Sequence, residues 1–333
     1  MAGTLPFSGL QIGVETVAGT AVATTRELYP DLPGSFDPGI IRSLHEGAQR
    51  GTSSNITHAT IIGHRPSLTY RSDPTHGITW DELVILGSQI DGGNTGTGAG
   101  ADKVWTFAPT QTGPTWDTYT LNIFDVSQCF EVDYGFMTGW SISGGFDDLT
   151  QCTMDWVARQ TAKVTVDTVA ANNAVKIPSN LWTMKYASAQ SGLTGASALA
   201  NTLRSWTLSV DTPQRARWYA GSLGEFGQAL GSNNLGGTLQ MTWDSTADAV
   251  AQYDLYAAGT PAFFRLAATG PTLGGTTYLA QIDVCVLWED SFQPIATASD
   301  GVLEYSMIGR IAYDATWTQS LTLGCTCSIA ALP

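Results

Sequence analysis

The residue types that could support catalysis are few in this sequence, and their spacing fits no catalytic arrangement. Adjacent carboxylates beside a stretch typical of a loop occur at Asp147-Asp148 and at Glu289-Asp290. A general acid and its partner base would have to be held apart across a cleft, which adjacency alone does not provide. We interpret both pairs as solvated charges and predict no catalytic residue and no enzyme activity.

Histidine and cysteine show no pattern typical of a metal site. The four histidines fall in one N-terminal stretch, but no two are spaced three or four residues apart on a helix. Cys325 and Cys327 share one face of a strand, and no second Cys or His pair completes a zinc site. The other cysteines sit singly in apolar runs, where a thiol packs as a small hydrophobic group. We predict no metal, no cofactor and no disulfide framework.

Composition and charge exclude several further classes. Hydrophobic residues make up 43% of the 333 residues, enough to bury a core. The net charge of −14 argues against a protein that grips nucleic acid through its phosphates. The sequence contains no run of 18 apolar residues, so no membrane-spanning helix is predicted. The first residues lack the basic and apolar regions of a signal peptide. The glycine-rich run 92–100 lacks the Lys-Ser/Thr ending of a phosphate-binding loop and is predicted to be a flexible loop.

The amino-acid usage predicts a mainly β protein. Threonine is abundant, with 43 residues, whereas lysine occurs only four times. Several short segments alternate in polarity, as half-buried strands do, and turn-forming residues separate them. These segments are 127–134, 151–158, 163–168, 280–288 and 311–318.

Two helices are predicted between the strands. The first follows a capping box formed by Thr79 and Glu82 and continues through 83–86. The second covers 245–256, and Gly259 and Pro261 close it.

The two predicted helices indicate an internal duplication. Each is preceded by a short strand and followed by two more, and the equated segments are 66–70 with 237–242, 105–108 with 262–266, 118–121 with 277–280, and 154–156 with 315–317. We predict two tandem β-sandwich or barrel units, each with one flanking α-helix. They would cover residues 1–170 and 171–333, joined by a short linker at 169–175.

The N-terminal stretch also resembles a known family. Gly13-Val-Glu-Thr-Val-Ala-Gly-Thr-Ala-Val-Ala-Thr-Thr-Arg-Glu-Leu-Tyr29 is similar to the opening of tail tube proteins (major tail proteins) of long-tailed bacteriophages. The resemblance continues through the long loop 43–64, through 66–71 and the following helix, and through 118–121 and 136–144. It ends at a W-x-x-R-Q pattern formed by Trp156, Arg159 and Gln160. It covers about 150 residues of the first half in order.

This resemblance implies a structural virion protein. Tail tube proteins are β-sandwiches with a flanking helix, and they form stacked rings whose inner strands join into a barrel around a channel for DNA. Single-domain subunits make rings of six, so two units per chain imply a homotrimer that imitates a hexamer. The implied partners are other copies of the chain, a tape measure protein inside the tube and the tail-end proteins, with assembly in the host cytoplasm.

A channel for DNA also suggests a use for the negative charge, because carboxylates on its wall would repel phosphates. In the segment 127–134, alternation places Glu131 and Asp133 on the polar side, and we predict that they face the lumen; an outer solvated face is the alternative. For ring stacking the candidates are the N-terminal arm 1–13, the long loop 37–64 and the glycine-rich loop 91–101.

A second class stays open at this point. Eleven tryptophans could form sugar-binding platforms in a virion-associated or extracellular carbohydrate-binding β-sandwich. Trp140, Trp156, Trp288 and Trp317, however, sit on alternating apolar faces, and we interpret them as core residues.

Overall fold

The computed structural model describes most of the chain. The described residues are 9–31, 35–46, 56–98, 100, 102–109, 116–125, 127–145, 148–169, 175–199, 203–219, 226–230, 235–244, 247–289, 297–299 and 302–333. Within them the protein is mainly β, with two α-helices, as predicted. The elements are β1 Gly9–Val14, β2 Arg26–Leu28, β3 Ser35–Asp37, β4 Ile40–Glu46, β5 Ile56–His64, β6 Ser67–Arg71, α1 Glu82–Ser88, β7 Lys103–Phe107, β8 Tyr119–Phe124, β9 Cys129–Gly145, β10 Gln151–Val157, β11 Gln160–Val164, β12 Trp182–Ala187, β13 Leu203–Asp211, β14 Gln214–Trp218, β15 Phe226–Leu230, β16 Gly236–Asp244, α2 Ala247–Ala258, β17 Ala262–Leu273, β18 Thr276–Trp288, β19 Thr297–Ser299, β20 Val302–Ile311 and β21 Leu321–Cys327.

One antiparallel sheet runs through both halves of the chain, and we call it the spanning sheet. Its strand order is β3, β6, β10, the C-terminal part of β9, β13, β16 and β20. The two halves meet where β9 pairs with β13, from Ser205 opposite Gly145 to Asp211 opposite Gly139. The strands form because small and β-branched polar residues alternate with large apolar ones, so that one side of each strand can be buried.

Two further sheets cover the spanning sheet. The first cover sheet has the order β2, β1, β8, the N-terminal part of β9 and β11. The second has the order β12, β17, β18, β21 and β7, so a strand of the first half ends it. Aromatic contacts join the layers: Tyr119 of β8 meets Trp156 of β10 edge to face at 5.6 Å, and Phe264 of β17 meets Trp243 of β16 at 6.2 Å.

Strand β9 belongs to two sheets. Its residues up to Gly135 pair with β8 or β11 in the first cover sheet, and its residues from Phe136 onward pair with β10 in the spanning sheet. The change occurs at Tyr134, whose φ of 54° is rare for a residue other than glycine. Strand β18 makes the same passage, because it pairs with β17 and β21 and then, at Val286, with β20.

The strand pairings of the first half recur in the second. The antiparallel pairs β1–β8, β8–β9, β9–β11, β9–β10, β10–β6 and β6–β3 have the counterparts β12–β17, β17–β18, β18–β21, β18–β20, β20–β16 and β16–β13. A hairpin separates β3 from β6, and another separates β13 from β16. Each helix follows the strand β6 or β16.

The observed pairings correct two of the predicted correspondences between the halves and the position of one predicted strand. By pairing, β17 is the counterpart of β8 and not of the segment 105–108, because that segment lies in β7, which pairs with the second half. The segment 315–317 is not a strand: β20 ends at Ile311, and the Asp314 carboxylate accepts the backbone N–H groups of Thr316 and Trp317 in a turn. The predicted strand 163–168 is displaced, since β11 ends at Val164.

Both predicted helices are present, and the predicted capping box of α1 forms. The N–H of Thr79 donates to Glu82 Oε2 at 2.6 Å, and the N–H of Glu82 donates to Thr79 Oγ1 at 3.4 Å. The predicted start of α2, Ser245, lies outside the described residues. At the other end, Gly259 follows the helix with φ of 59°, as predicted.

Two segments predicted as loops contain regular structure. The segment 37–64 includes the hairpin β4–β5, in which Ile40 lies opposite His64. The segment 9–13 of the predicted N-terminal arm lies in β1 and pairs with β2 and β8, while residues 1–8 are outside the described part. The hairpin was missed because Ile40-Ile41 and Ile61-Ile62 interrupt the alternation of polarity in β4 and β5. In β1, by contrast, Leu10, Ile12 and Val14 are spaced two apart, so the pattern of a strand is present in the predicted arm.

The buried carboxyl group of Glu82 makes the stability of this fold depend on pH. Burial raises the pKa of Glu82 to about 7, against the hydrogen bonds from Thr79 and Tyr70. The pKa of Glu82 is higher in the folded than in the unfolded chain. Its contribution to stability is therefore fully present below about pH 4.5 and is lost as the pH rises through about 7. The unfolding free energy of the wild type should therefore fall by about 3 kcal/mol between these pH limits. Glu82→Gln, whose side chain does not ionise, should not show this fall. Urea unfolding at several pH values measures it, and a wild-type to variant difference that is constant with pH would contradict it.

Candidate assembly surfaces and motif cluster

The carboxylate of Glu15 organises the point where β9 changes sheets. Glu15 is buried, with 7% exposure, and its two oxygens accept four hydrogen bonds. The donors are the N–H of Gly19 at 2.7 Å, the hydroxyls of Thr118 at 2.8 Å and Thr120 at 3.1 Å, and the N–H of Tyr134 at 2.8 Å. One side chain thus ties the N-terminal segment and β8 to the residue with positive φ on β9.

Arg159 closes the same cluster from the other side. Its guanidinium donates to the carbonyl of Gly19 at 2.7 Å and forms an ion pair with Asp133. Gln160 Nε2 donates to the Asp133 carboxylate at 3.3 Å. The two stretches that resemble the family, 13–29 and 156–160, therefore meet in space although about 130 residues separate them.

The local backbone explains the glycine of the first motif. Gly19 has φ of 78°, and a Cβ atom there would lie 2.5 Å from Tyr134 Cδ2. Only glycine fits both the conformation and the contact. In the described residues the cluster consists of one ion pair and of buried hydrogen bonds that converge on β9, and we call it the clamp on β9.

The outward side of the spanning sheet is polar, and we call it the hydroxyl face. Its side chains alternate with buried apolar ones on every strand, and none of its hydroxyl side chains is buried. It includes Ser67, Thr69, Ser141, Ser143, Thr153, Ser205, Thr207, Ser209, Thr238, Thr242 and Ser306. Opposed residues form rows across the sheet, and one row runs Arg71, Thr153, Ser141, Ser209, Thr238, Arg310.

Charged side chains on the hydroxyl face are mostly acidic or balanced. Asp155 and Asp211 lie on either side of Gly139 in the register, and among the described residues neither has a cation within salt-bridge distance. Arg204, at one end of the face, pairs with Glu304 and lies 3.7 Å from Asp244. The arginines Arg71 and Arg310 end the row described above, and Arg310 pairs with Glu289, so the middle of the face offers hydroxyls and carboxylates.

Two hairpins leave the spanning sheet at one end. Four antiparallel pairings separate β3 from β13, so these strands run in the same direction, and the hairpins β4–β5 and β14–β15 follow their ends. The far end of β14 meets the base of the first hairpin: Trp218 Nε1 donates to the carbonyl of His64 at 3.1 Å, and the Arg65 guanidinium lies 4.7 Å from the Trp218 ring centre. Ile61 and Ile62 are exposed on the first hairpin, at 40% and 57%.

Comparison with known families agrees with this cluster of motifs. A family model described as phage tail tube protein matches residues 8–318, nearly the whole chain. The chain belongs to the phage tail tube protein family. None of the curated proteins compared with it matches.

The family assignment confirms the resemblance seen in the sequence and makes this a structural protein of the phage tail that assembles into a tube. Its place is the virion tail, and the family is not a known enzyme family. Among the residues that the structure describes, no group of three or more histidine, cysteine, aspartate or glutamate side chains could hold a metal ion. No described helix is long and apolar enough to cross a membrane.

The two carboxylates predicted to face the lumen of the tube protein lie on the cover sheet, in the N-terminal part of β9. Asp133 is 7% exposed and paired with Arg159, so it is part of the clamp. Glu131 is half-buried, and burial together with the nearby Asp167 and Asp133 carboxylates raises its pKa. Their lumen-facing role stays a prediction, and the geometry supports it less for Asp133 than for Glu131.

Sequence reasoning missed the hydroxyl face of the tail tube protein, although part of its signal was visible. The alternation in 151–158 places Met154 and Trp156 on one side, which leaves Thr153 and Asp155 on the other. Nothing in the sequence shows that β10 lies beside β9 and β13, so Asp211 could not be assigned to the same surface.

Removing the charge of Glu15 tests the clamp in this tail tube protein. Glu15→Gln replaces one acceptor oxygen with an NH₂ group that faces N–H and O–H donors. We expect the unfolding free energy to fall by about 1–3 kcal/mol, measured by urea unfolding. Asp254→Asn, at an exposed carboxylate on α2, is the matched control and should change stability by less than about 0.5 kcal/mol. Equal losses in the two variants would contradict a special role for Glu15.

Proposed function

We propose that three copies of the chain close into a ring, that rings stack into the tail tube, and that viral DNA passes along the bore. The observation that carries this proposal is the spanning sheet, which continues from the first half into the second and presents one polar face throughout. A sheet of this kind, repeated around an axis, closes into a barrel and removes exposed strand edges.

The ring number follows from two tail-tube-type units per chain. The recurring strand pairings of the two halves support units at residues 1–170 and 171–333, linked near 169–175. Six units then complete a ring of three chains, the same number as six single-unit subunits. The β9–β13 pairing would serve inside the chain as the junction between neighbouring units.

The hydroxyl face has the chemistry that a DNA channel needs. Serine and threonine hydroxyls are neutral, and the carboxylates of Asp155 and Asp211, which have no cation within salt-bridge distance in the described part of the chain, would repel phosphates. A chain with a net charge of −14 and only four lysines offers few phosphate contacts, so DNA would not be trapped along the bore. We therefore propose that the hydroxyl face lines the lumen, and Glu131 remains a second candidate for the wall.

We propose that the two hairpins, β4–β5 and β14–β15, make the contacts between stacked rings. They extend from one end of the spanning sheet, and the first carries exposed Ile61 and Ile62, which need burial in an assembly. The segment 91–101 and the N-terminal residues 1–13 remain candidates for the same contact. Other proposed partners are a tape measure protein inside the tube and the tail-end proteins, with assembly in the host cytoplasm.

Carbohydrate binding is not favoured. Trp140, Trp156 and Trp288 are at most 6% exposed, as expected for core residues, and cannot offer a ring face to a sugar. Trp317 is half-buried and meets Phe263 edge to face at 6.2 Å. The exposed ring of Trp218 is covered on one side by Arg65.

Purified protein tests the assembly directly. We expect tubes or rings by electron microscopy at high concentration, with threefold symmetry and six similar lobes per ring. Light scattering of the smallest closed species should give three times the mass of the chain. A ring of six identical chains, or a protein that stays monomeric at every concentration, would contradict the proposal.

Cysteine labelling tests which face lines the bore. Asp155→Cys in assembled tubes should react with a small maleimide but not with a maleimide carried on a large protein, which cannot enter the channel. Thr183→Cys, exposed on the outer cover sheet, is the control and should react with both. Glu131→Cys, labelled in the same way, tests whether Glu131 faces the lumen, because a lumenal cysteine should also react with the small reagent only. Reaction of Asp155→Cys with the bulky reagent in intact tubes would contradict a lumenal hydroxyl face.

A further inference from the structure

The two helices hold corresponding places in the recurring topology but have different surroundings. All seven residues of α1 are buried. On α2, only Ala249 and Gln252 are buried, and the side next to them carries Val250 at 51% and Tyr253 at 42% exposure. Ala257 is exposed too, and the spacing of these three residues places them on one face. The apolar surface of α2 thus extends beyond the part of the helix that its own chain covers.

The cover of α1 includes a strand of the second half of the chain, β21, and the first-half strand β7 that pairs with it. The contact is close, because a Cβ atom on Gly87 of α1 would lie 2.1 Å from the Phe107 ring of β7. Just before the helix, Cys325 of β21 donates to the carbonyl of Trp80 at 3.3 Å. Helix α1 is therefore covered at the junction between the two units.

The strand that corresponds to β21 is β11. Each pairs with the strand that passes between two sheets, β11 with β9 and β21 with β18, and each follows the corresponding strand β10 or β20. In the part of the chain that the structure describes, β11 pairs along one edge only, whereas β21 pairs with both β18 and β7. Its Gln160, Ala162 and Lys163 are exposed.

We propose that the outward face of α2, formed by Val250, Tyr253 and Ala257, docks on β11 of a neighbouring copy of the chain, as α1 is covered by β21 within the chain. This inference rests on the proposed ring assembly and names the surfaces that close it. The contact is head to tail, because it joins two different surfaces, and such contacts generate rings when the rotation closes.

Charge complementarity supports the same partner. Helix α2 exposes Asp254 beside its apolar face, whereas β11 exposes Lys163, one of four lysines in the chain. A lysine opposite a carboxylate favours this pairing over α2 against α2, in which like charges would meet.

The junction between chains lacks one element of the junction within the chain. Only residues 259–261 separate α2 from β17, so the second half has no counterpart of β7. The contact between chains therefore buries less surface than the contact inside the chain, which suits subunits that fold first and assemble afterwards.

Disulfide trapping tests this contact. A chain with Val250→Cys and Ala162→Cys should form covalent dimers and trimers on oxidation of assembled rings, with the trimer as the end point on a non-reducing gel. A mixture of the two single variants should stop at dimers, and either single variant alone should form none. The native cysteines add little background, because all five are buried and burial raises the pKa of Cys129 to about 11 and of Cys285 to about 12.

The outcomes separate this inference from the proposed function. Rings or tubes that form without a cross-link in the double variant, or a cross-link in Val250→Cys alone, would overturn the α2–β11 contact while leaving ring assembly intact. Failure of the wild type to assemble would refute the proposed function itself. If the cysteines impair assembly, Tyr253→Glu should abolish rings without unfolding the chain and Thr183→Glu should not; rings that survive Tyr253→Glu would also overturn the contact.

Discussion

The backbone hydrogen bonds between β9 and β13 make two halves of a chain into one sheet, and most other features depend on them. An open strand edge presents unpaired N–H and C=O groups, which attract other strands unless they are covered. Over Gly139–Gly145, β9 is paired with β13, and up to Ser143 it is also paired with β10 on its other side. The two halves are consequently fixed in register, and the hydroxyl face and the packed core lie on opposite sides of the same strands.

This arrangement requires β9 to leave one sheet and enter another, and the motif cluster meets that requirement. A turn of the backbone at Tyr134 costs conformational energy and exposes an N–H group inside the protein. The Glu15 carboxylate accepts that N–H, and Arg159 holds Asp133 immediately before it. Because buried polar groups are costly without partners, each member of the cluster needs the others. The residues that carry the family resemblance are therefore those that hold the cover sheet over the spanning sheet.

The sequence predicted local features well and long-range ones poorly, for physical reasons. Strand β10 and the capping box at Thr79 depend on neighbouring residues, so periodicity and spacing reveal them. The hairpin strands β4 and β5 were missed because the adjacent isoleucines Ile40-Ile41 and Ile61-Ile62 break the alternation. Strand β1 does alternate in sequence, and its pairing with β2 and β8 shows that it belongs to a sheet. The sequence did not show that Asp133 forms an ion pair with Arg159, because only the fold brings these two side chains together. The recurrence of strand pairings was visible as a pattern of elements, but β7 had to be seen paired with β21 before the correspondence could be drawn correctly.

The unequal surroundings of α1 and α2 bear on how a tube protein can avoid premature polymerisation. Inside the chain, the junction of the two halves combines sheet pairing through β9–β13, a second pairing through β7–β21 and a buried helix. A chain can therefore complete its core without a partner. What remains exposed on α2 is a small apolar face with a few charges, which is compatible with a stable single chain. Each contact between chains would then be weak by itself, and only a closed ring, in which every copy makes two such contacts at once, would hold together. Stacking through the hairpins would add further contacts to rings that have already closed, so that growth of the tube would favour complete rings over open chains.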